Sequence, residues 1–204
     1  MADALVQVPP DSTGAKVRTR TRSVGGNTVH EQYIALGADP TYYIWSPPAA
    51  CAQNRQVLSL LNTSATQIIK LRKLFLINAQ LTAITGVGLQ YDVKRISTLT
   101  GGTAITPNPA DTADGAMSGF TCASGGTVTE GVLLYSWYTM NDEIGVTAAA
   151  AVGGYLQASI SMQPEGNEIR EMNLRNGEGF TVKQITSSSV GSYGALAVVT
   201  VEAI

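Results

Sequence analysis

Charge and long apolar runs are both scarce in this chain. Asp, Glu, Lys and Arg make up 14 % of its 204 residues, against about 25 % in an average soluble domain. The net charge is −2, whereas proteins dedicated to nucleic acid are normally basic. No apolar run approaches the ~18 residues that a membrane span requires. The N-terminal residues also lack the basic and apolar regions of a secretory signal. We therefore predict neither a nucleic-acid nor a membrane partner.

Residues that could act as a catalytic base or nucleophile are scarce as well. His30 is the only histidine, and it lies in polar, glycine-rich sequence, whereas a catalytic base must be held rigidly. Cys51 and Cys122 form no CxxC motif, which excludes a redox motif and a structural zinc site. Without a secretory signal we predict two buried free thiols rather than a disulfide.

Two small groups of carboxylates remain as candidates for chemistry. They are Asp111 with Asp114, and Asp142 with Glu143. Neither group has the spacing of a calcium-binding EF-hand loop, so we interpret both as turn residues. A pair held ~5–10 Å apart could instead hydrolyse a glycoside, and this defines the enzymatic alternative. We predict no enzymatic activity, no cofactor and no metal.

The apolar residues alternate with polar ones over many short segments, which is typical of β-strands. Glycine accounts for 21 residues, and much of it lies between these segments, where it favours turns. We predict a jelly-roll-like β-sandwich. Residues 46–48 (Ser-Pro-Pro) should end the second strand, a bulge is expected near Arg72 and Lys73, and residues 100–127 should form a long loop. The predicted strands cover residues 33–36, 41–45, 56–61, 66–77, 87–99, 127–138, 155–163, 179–186 and 194–203.

The composition of residues 1–30 differs from that of the rest of the chain. We predict an extended N-terminal arm at residues 1–30, followed by the β-sandwich domain at residues 31–204. Lys16, Arg18, Arg20 and Arg22 recur at every second position, which places them on one edge of an extended chain. Such cations could contact nucleic-acid phosphates or an acidic protein surface. Residues 96–169 contain seven Asp or Glu and no Lys or Arg, so this region, in the same molecule or in a neighbouring copy, could supply the acidic surface.

Two groups of aromatic residues are candidates for the core or for an interface. Tyr43 and Trp45 share one face of a predicted strand, as do Tyr135 and Trp137. Aromatic side chains of this kind often anchor protein–protein contacts. The sequence leaves both interpretations open.

Two motifs resemble segments of tailed-bacteriophage virion proteins. Residues 8–14 read Val-Pro-Pro-Asp-Ser-Thr-Gly and precede His30-Glu31-Gln32-Tyr33 and Asp39-Pro40. This order is similar to the N-terminal segment of many such proteins, except that Ala15 replaces a lysine. Residues 174–182, Leu-Arg-Asn-Gly-Glu-Gly-Phe-Thr-Val, resemble the LRxGEG turn of phage jelly-roll domains. The segments at residues 91–95 and 101–104 agree with the same comparison.

The resemblance implies a capsid decoration (cement) protein. Such a protein would bind the outside of the major capsid protein lattice as a homotrimer and stabilise the head. It would be made in the host cytoplasm and reside on the capsid exterior. The alternative is an adhesion or receptor-binding module associated with the tail or a fibre. The expected partner-binding residues are Lys16, Arg18, Arg20, Arg22, Tyr43 and Trp45.

Overall fold

The computed structural model describes residues 3–7, 16–24, 27–32, 39–79, 87–141, 157–161 and 172–203. The predicted strand at residues 33–36 lies outside these ranges. The chain divides into two compact units, an N-terminal unit at residues 1–38 and a sandwich unit at residues 39–204. No helix occurs in the described part of the chain, as the all-β prediction requires.

The N-terminal unit contains three antiparallel strands in the order β1-β2-β3. They are β1 (Asp3–Gln7), β2 (Lys16–Val24) and β3 (Asn27–Gln32). The four cations occupy alternate positions of β2, as their spacing predicted. In the strand register Arg20 lies opposite Asp3 on one side and Glu31 on the other. The domain boundary predicted after His30 falls within β3.

The sandwich unit consists of two antiparallel sheets packed face to face, which confirms the predicted fold class. Sheet I has the order β11-β7-β14-β5-β10-β8, and sheet II has the order β12-β6-β15-β4-β9, with β13 also paired to β6. The strands are β4 (Thr41–Ala50), β5 (Gln56–Asn62), β6 (Gln67–Asn78), β7 (Val87–Thr100), β8 (Thr103–Ala104), β9 (Asn108–Pro109), β10 (Phe120–Ser124), β11 (Thr127–Asn141), β12 (Gln157–Ser161), β13 (Met172–Leu174), β14 (Gly179–Gln184) and β15 (Ser192–Ala203).

The pairing of these strands is nested. β4 pairs with β15, β5 with β14, β6 with β12 and β13, and β7 with β11. The chain is therefore folded like one long antiparallel hairpin. Successive strand pairs of this hairpin belong alternately to sheet II and to sheet I. This winding is the jelly roll.

The core lies between the two sheets and follows from the period-two patterns in the sequence. Along β4, for example, Tyr42, Ile44 and Ser46 are buried while Tyr43 and Trp45 are exposed. Burying a large apolar side chain contributes about 1.5–3 kcal/mol, so strands with this alternation are held by their inner faces. The largest fully buried side chains are Tyr91, Tyr193, Phe180, Ile44, Leu58, Leu60, Ile69, Leu71, Leu74, Leu76, Leu89 and Leu174.

Two details of the strand prediction are wrong and one is confirmed. β4 continues through Pro47 and Pro48, because its pairing with β15 becomes irregular there and leaves these residues outside the regular ladder. The predicted loop at residues 100–127 contains the short strands β8, β9 and β10. The expected bulge is present at Arg72, since the register of β15 steps from Lys73 to Leu71.

The two ends of the sandwich unit lie side by side. The first residue of β4, Thr41, is opposite Thr200 near the end of β15. Just outside this pair the backbone amide of Val201 donates a 3.0 Å hydrogen bond to the carbonyl of Pro40. Hydrogen bonds therefore join β4 and β15, the outermost strand pair of the jelly roll, up to the point where the chain enters the sandwich unit.

Candidate functional site

Of the carboxylates singled out in the sequence, Asp111 and Asp114 lie in a turn of the described residues. The side chain of Asp111 accepts a 2.9 Å hydrogen bond from the amide of Ala113, and its carbonyl accepts another of 3.0 Å from the amide of Asp114. This is the geometry of an Asx-type turn. No group of three metal-ligating side chains occurs in the described ranges, and Asp142 and Glu143 lie outside them.

Both cysteines are free and buried, as predicted. The Sγ atom of Cys51 lies 3.4 Å from the hydroxyl of Tyr91. Burial raises the pKa of the Cys51 thiol, against the lowering effects of this hydrogen bond and of Arg55. Burial alone raises the pKa of Cys122 to about 12. A thiol is a nucleophile only as the thiolate, and burial disfavours the thiolate form of both residues.

The LRxGEG-like segment forms a turn in which nearly every residue has a local structural role. Leu174 is fully buried. The amide of Arg175 donates a 2.9 Å hydrogen bond to the carboxylate of Glu178. Gly177 has a φ of 77°, which L side chains rarely adopt. A Cβ atom on Gly179 would overlap the carbonyl oxygen of Leu60. The motif therefore specifies the conformation of the turn between β13 and β14.

A charged network lies on the outer face of sheet I. Lys94 and Lys183 each donate a hydrogen bond to the carboxylate of Glu130, over 2.8 and 2.5 Å. Burial raises the pKa of Glu130, but the two ammonium groups outweigh it and hold the pKa below its ordinary value. Lys94 also lies 3.9 Å from Asp92, which accepts a 2.7 Å hydrogen bond from Ser136. These charges are neutralised within the subunit.

The edge strand β11 carries the largest exposed apolar surface of the described residues, which we name the β11 patch. It consists of Val132, Leu133, Leu134, Tyr135 and Tyr138, with exposed fractions of 71, 50, 38, 45 and 77 %. The pairing of β11 with β7 shifts register repeatedly between Thr129 and Tyr135. Consequently three consecutive side chains, at 132–134, are all exposed, which a regular strand packed on a core would not allow.

A second apolar surface covers part of the outer side of sheet II, and we name it the β4 face. Trp45, Leu196 and Phe75 lie in one cross-strand row, and Tyr43 and Val198 lie in the next. Tyr43 is 44 % and Trp45 39 % exposed, while the other three are half-buried. The row that contains Tyr43 and Val198 ends at the exposed Lys73, which lies opposite Val198.

The two aromatic pairs that the sequence singled out lie in different environments. Tyr43 and Trp45 both point away from the core. Tyr135 and Trp137 are in edge-to-face contact with centroids 5.7 Å apart, yet Trp137 is buried in the core and Tyr135 is exposed. The residues of the patch at 132–134 were missed, because a continuous apolar segment indicates burial when only the sequence is considered.

The fold and surfaces together define an antiparallel jelly-roll domain whose described residues include two exposed apolar surfaces. Comparison of the chain with family models, with curated proteins and with solved structures finds no match. Among the described residues no helix is long and apolar enough to cross a membrane.

Proposed function

We propose that the chain is a capsid decoration protein of a tailed bacteriophage, which binds the outside of the major capsid protein lattice as a trimer and stabilises the head. Two sequence segments support this assignment through their resemblance to phage virion proteins. Because one fold hosts many functions, the proposal depends on the surfaces of the domain as well as on its jelly-roll winding.

The observation that carries the proposal is the pair of exposed apolar surfaces on the jelly-roll domain. Soluble monomers rarely expose contiguous apolar patches above a few hundred Å², and larger ones mark interaction sites. The β11 patch has five large side chains at least 38 % exposed. A protein whose role is to cover and join other subunits requires such surfaces.

The N-terminal unit would supply polar contacts to the capsid. Lys16, Arg18, Arg20 and Arg22 occupy alternate positions of β2, so they can present one row of positive charge. Arg20 has acidic residues opposite it on both neighbouring strands. Arg18 has Leu5 opposite it, and Arg22 has Val29. These two arginines are therefore the better candidates for contacts with an acidic partner surface.

A tail- or fibre-associated adhesion module is the second candidate function. Tyr138 is 77 % exposed and lies opposite Gln90 on the polar outer face of sheet I. An exposed tyrosine beside hydrogen-bonding groups is an arrangement suited to a host glycan. The carboxylate of Asp92 is already engaged by Ser136, Gln90 and Lys94, and this leaves fewer free groups for a sugar.

The copy number of the chain in purified virions tests the proposal. A ratio to the major capsid protein of one, or of a simple fraction such as one third, is expected for a lattice-bound decoration protein. A ratio of a few per cent would indicate that the chain is located in the tail. Absence from virions would overturn both structural functions.

A binding experiment tests the role of the arginines in the full chain. Arg18→Gln with Arg22→Gln should weaken association with undecorated capsids and reduce its salt dependence. Arg55→Gln is the matched control, because Arg55 hydrogen-bonds the carbonyls of Ala49 and Ala50 within its own subunit. Equal capsid binding by the double variant and the wild type would remove the arginines from the interface.

A further inference from the structure

The two apolar surfaces belong to different sheets and differ in the regularity of their strand pairing. The β11 patch includes three consecutive exposed side chains on the bulged edge strand of sheet I. The β4 face is a row of aromatic and aliphatic side chains across three regularly paired strands of sheet II.

The named residues of both surfaces are uncharged, and the exposed Lys73 lies at the margin of the β4 face. Residues 131–141 contain no ionisable acid or base apart from two tyrosines, and the neighbouring Glu130 is engaged by Lys94 and Lys183 of the same subunit. On sheet II, Tyr43, Trp45, Phe75, Leu196 and Val198 are uncharged. Charged partners are recognised by complementary charge, so each surface favours an uncharged apolar partner.

We propose that the β11 patch of one copy packs on the β4 face of a second copy, so that identical copies associate head to tail. One kind of contact then covers both apolar surfaces of every subunit. A two-fold contact between two β11 patches would leave every β4 face exposed. Closure of the head-to-tail contact gives a ring; the count of three copies rests on the proposed function, whereas the pairing of the two surfaces does not.

The size of the patch and the shape of the strand edge agree with this contact. Tyr138 lies on the opposite side of β11 from Tyr135, and the other four side chains of the β11 patch together present on the order of 350 Å². A stable interface buries about 800 Å² per partner, so the patch would form its centre and polar residues its rim. The bulges between Thr129 and Tyr135 disturb the edge of β11, which disfavours direct strand-to-strand addition and favours contact through side chains.

Pairs of variants of the full chain test whether the two surfaces meet. The wild type should be a trimer by light scattering after size exclusion. Leu133→Asp and Trp45→Asp should each weaken self-association about 100-fold, since each buries an unpaired charge. Val190→Asp is the matched control: Val190 is 40 % exposed but belongs to neither surface, so this variant should remain a trimer.

Mixing the two variants distinguishes a head-to-tail contact from a two-fold one. Leu133→Asp retains an intact β4 face and Trp45→Asp an intact β11 patch, so an equimolar mixture should form a one-to-one dimer. If β11 patches met each other, Trp45→Asp alone would keep the wild-type assembly, and this result would overturn the proposal. A monomeric wild type would overturn it as well.

Cross-linking provides a second measurement if a charged variant fails to fold. Val132→Cys combined with Tyr43→Cys should give disulfide-linked oligomers that end at a closed trimer, while either single variant should give none. The native thiols are buried at 3 and 4 % exposure and do not interfere. Dimers from Val132→Cys alone would contradict the head-to-tail contact. A ring that forms but does not bind capsids would reject the proposed function and leave this inference standing.

Discussion

The carboxylate of Glu130 on β11 accepts a 2.8 Å hydrogen bond from the ammonium group of Lys94 on β7. Its other oxygen accepts one from Lys183 on β14. One side chain thereby links three neighbouring strands of sheet I at the place where the register of β11 is irregular. The ion pairs substitute there for part of the backbone ladder that the bulges interrupt.

Replacement of Glu130 should make the stability of the protein less dependent on pH. The folded-state pKa of Glu130 lies below its ordinary value of 4.5. Its stabilising contribution is therefore complete above that value and is lost as the pH falls through the lower, folded-state pKa. We expect Glu130→Gln to lower the free energy of unfolding by about 1–2 kcal/mol at pH 7 and by less near pH 3, measured by urea unfolding.

Glu202→Gln is the control for this prediction. Glu202 pairs with Lys70 over 2.8 Å, but its side chain is 46 % exposed, and exposed ion pairs contribute only about 0–1 kcal/mol. Its effect at pH 7 should be the smaller of the two. An equal loss in both variants would show that the linkage of three strands adds nothing.

Gly179→Ala should be one of the most destabilising small substitutions in the sandwich unit. The added methyl group would overlap the carbonyl of Leu60 and crowd Ile96. Overpacking of this kind costs about 1–3 kcal/mol, and the rigid backbone on one side favours the upper end. Gly88→Ala is the matched control, because a Cβ atom there meets nothing within 4 Å. Chemical denaturation of both variants measures the difference.

The side-chain amide of Asn62 joins the two sheets, and its replacement should destabilise the protein. It donates hydrogen bonds of 2.9 Å to the carbonyl of Gln67 and 2.8 Å to that of Leu174, and it accepts one from the amide of Ser64. Asn62→Ala should lower the free energy of unfolding by about 2–4 kcal/mol, because buried backbone groups lose their partners. Asn108→Ala, at an exposed position, should change it by less than about 0.5 kcal/mol.

The thiols should be unreactive until the protein unfolds. Cys51 and Cys122 are both buried and free, and burial raises the pKa of each. A thiol reagent at pH 8 should label neither residue in the native protein and both in denaturant. Rapid labelling of the native protein would contradict the burial of these side chains, and absence of label in denaturant would indicate a disulfide.

The fold could be predicted from the sequence because several long strands, such as β4 and β6, bury mainly one face. Leu89, Tyr91 and Val93 alternate with polar residues, and all three are buried in β7. Even the bulge at Arg72 could be predicted, since the alternation of β6 breaks there. The nested pairing could not be, because it depends on contacts between strands far apart in sequence.

The β11 patch and the strand β10 were harder to predict, each for its own physical reason. An apolar segment such as residues 132–135 indicates burial unless the register of the strand is known, and here irregular pairing turns it outward. The strand at β10 was missed because Phe120–Ser124 is short and contains small residues. Its pairing with β5 is determined by the neighbouring strand rather than by local preference.

The hydrogen bond between Val201 and Pro40 brings the entrance and exit of the sandwich unit together. A short linker could join residue 203 to residue 39, and new termini could be opened in the turn at Gly125 and Gly126 between β10 and β11. Such a circular permutant would preserve every strand pair of the jelly roll. The order in which the strands are synthesised is thus separable from the architecture they form, and the domain could be inserted into a loop of another protein.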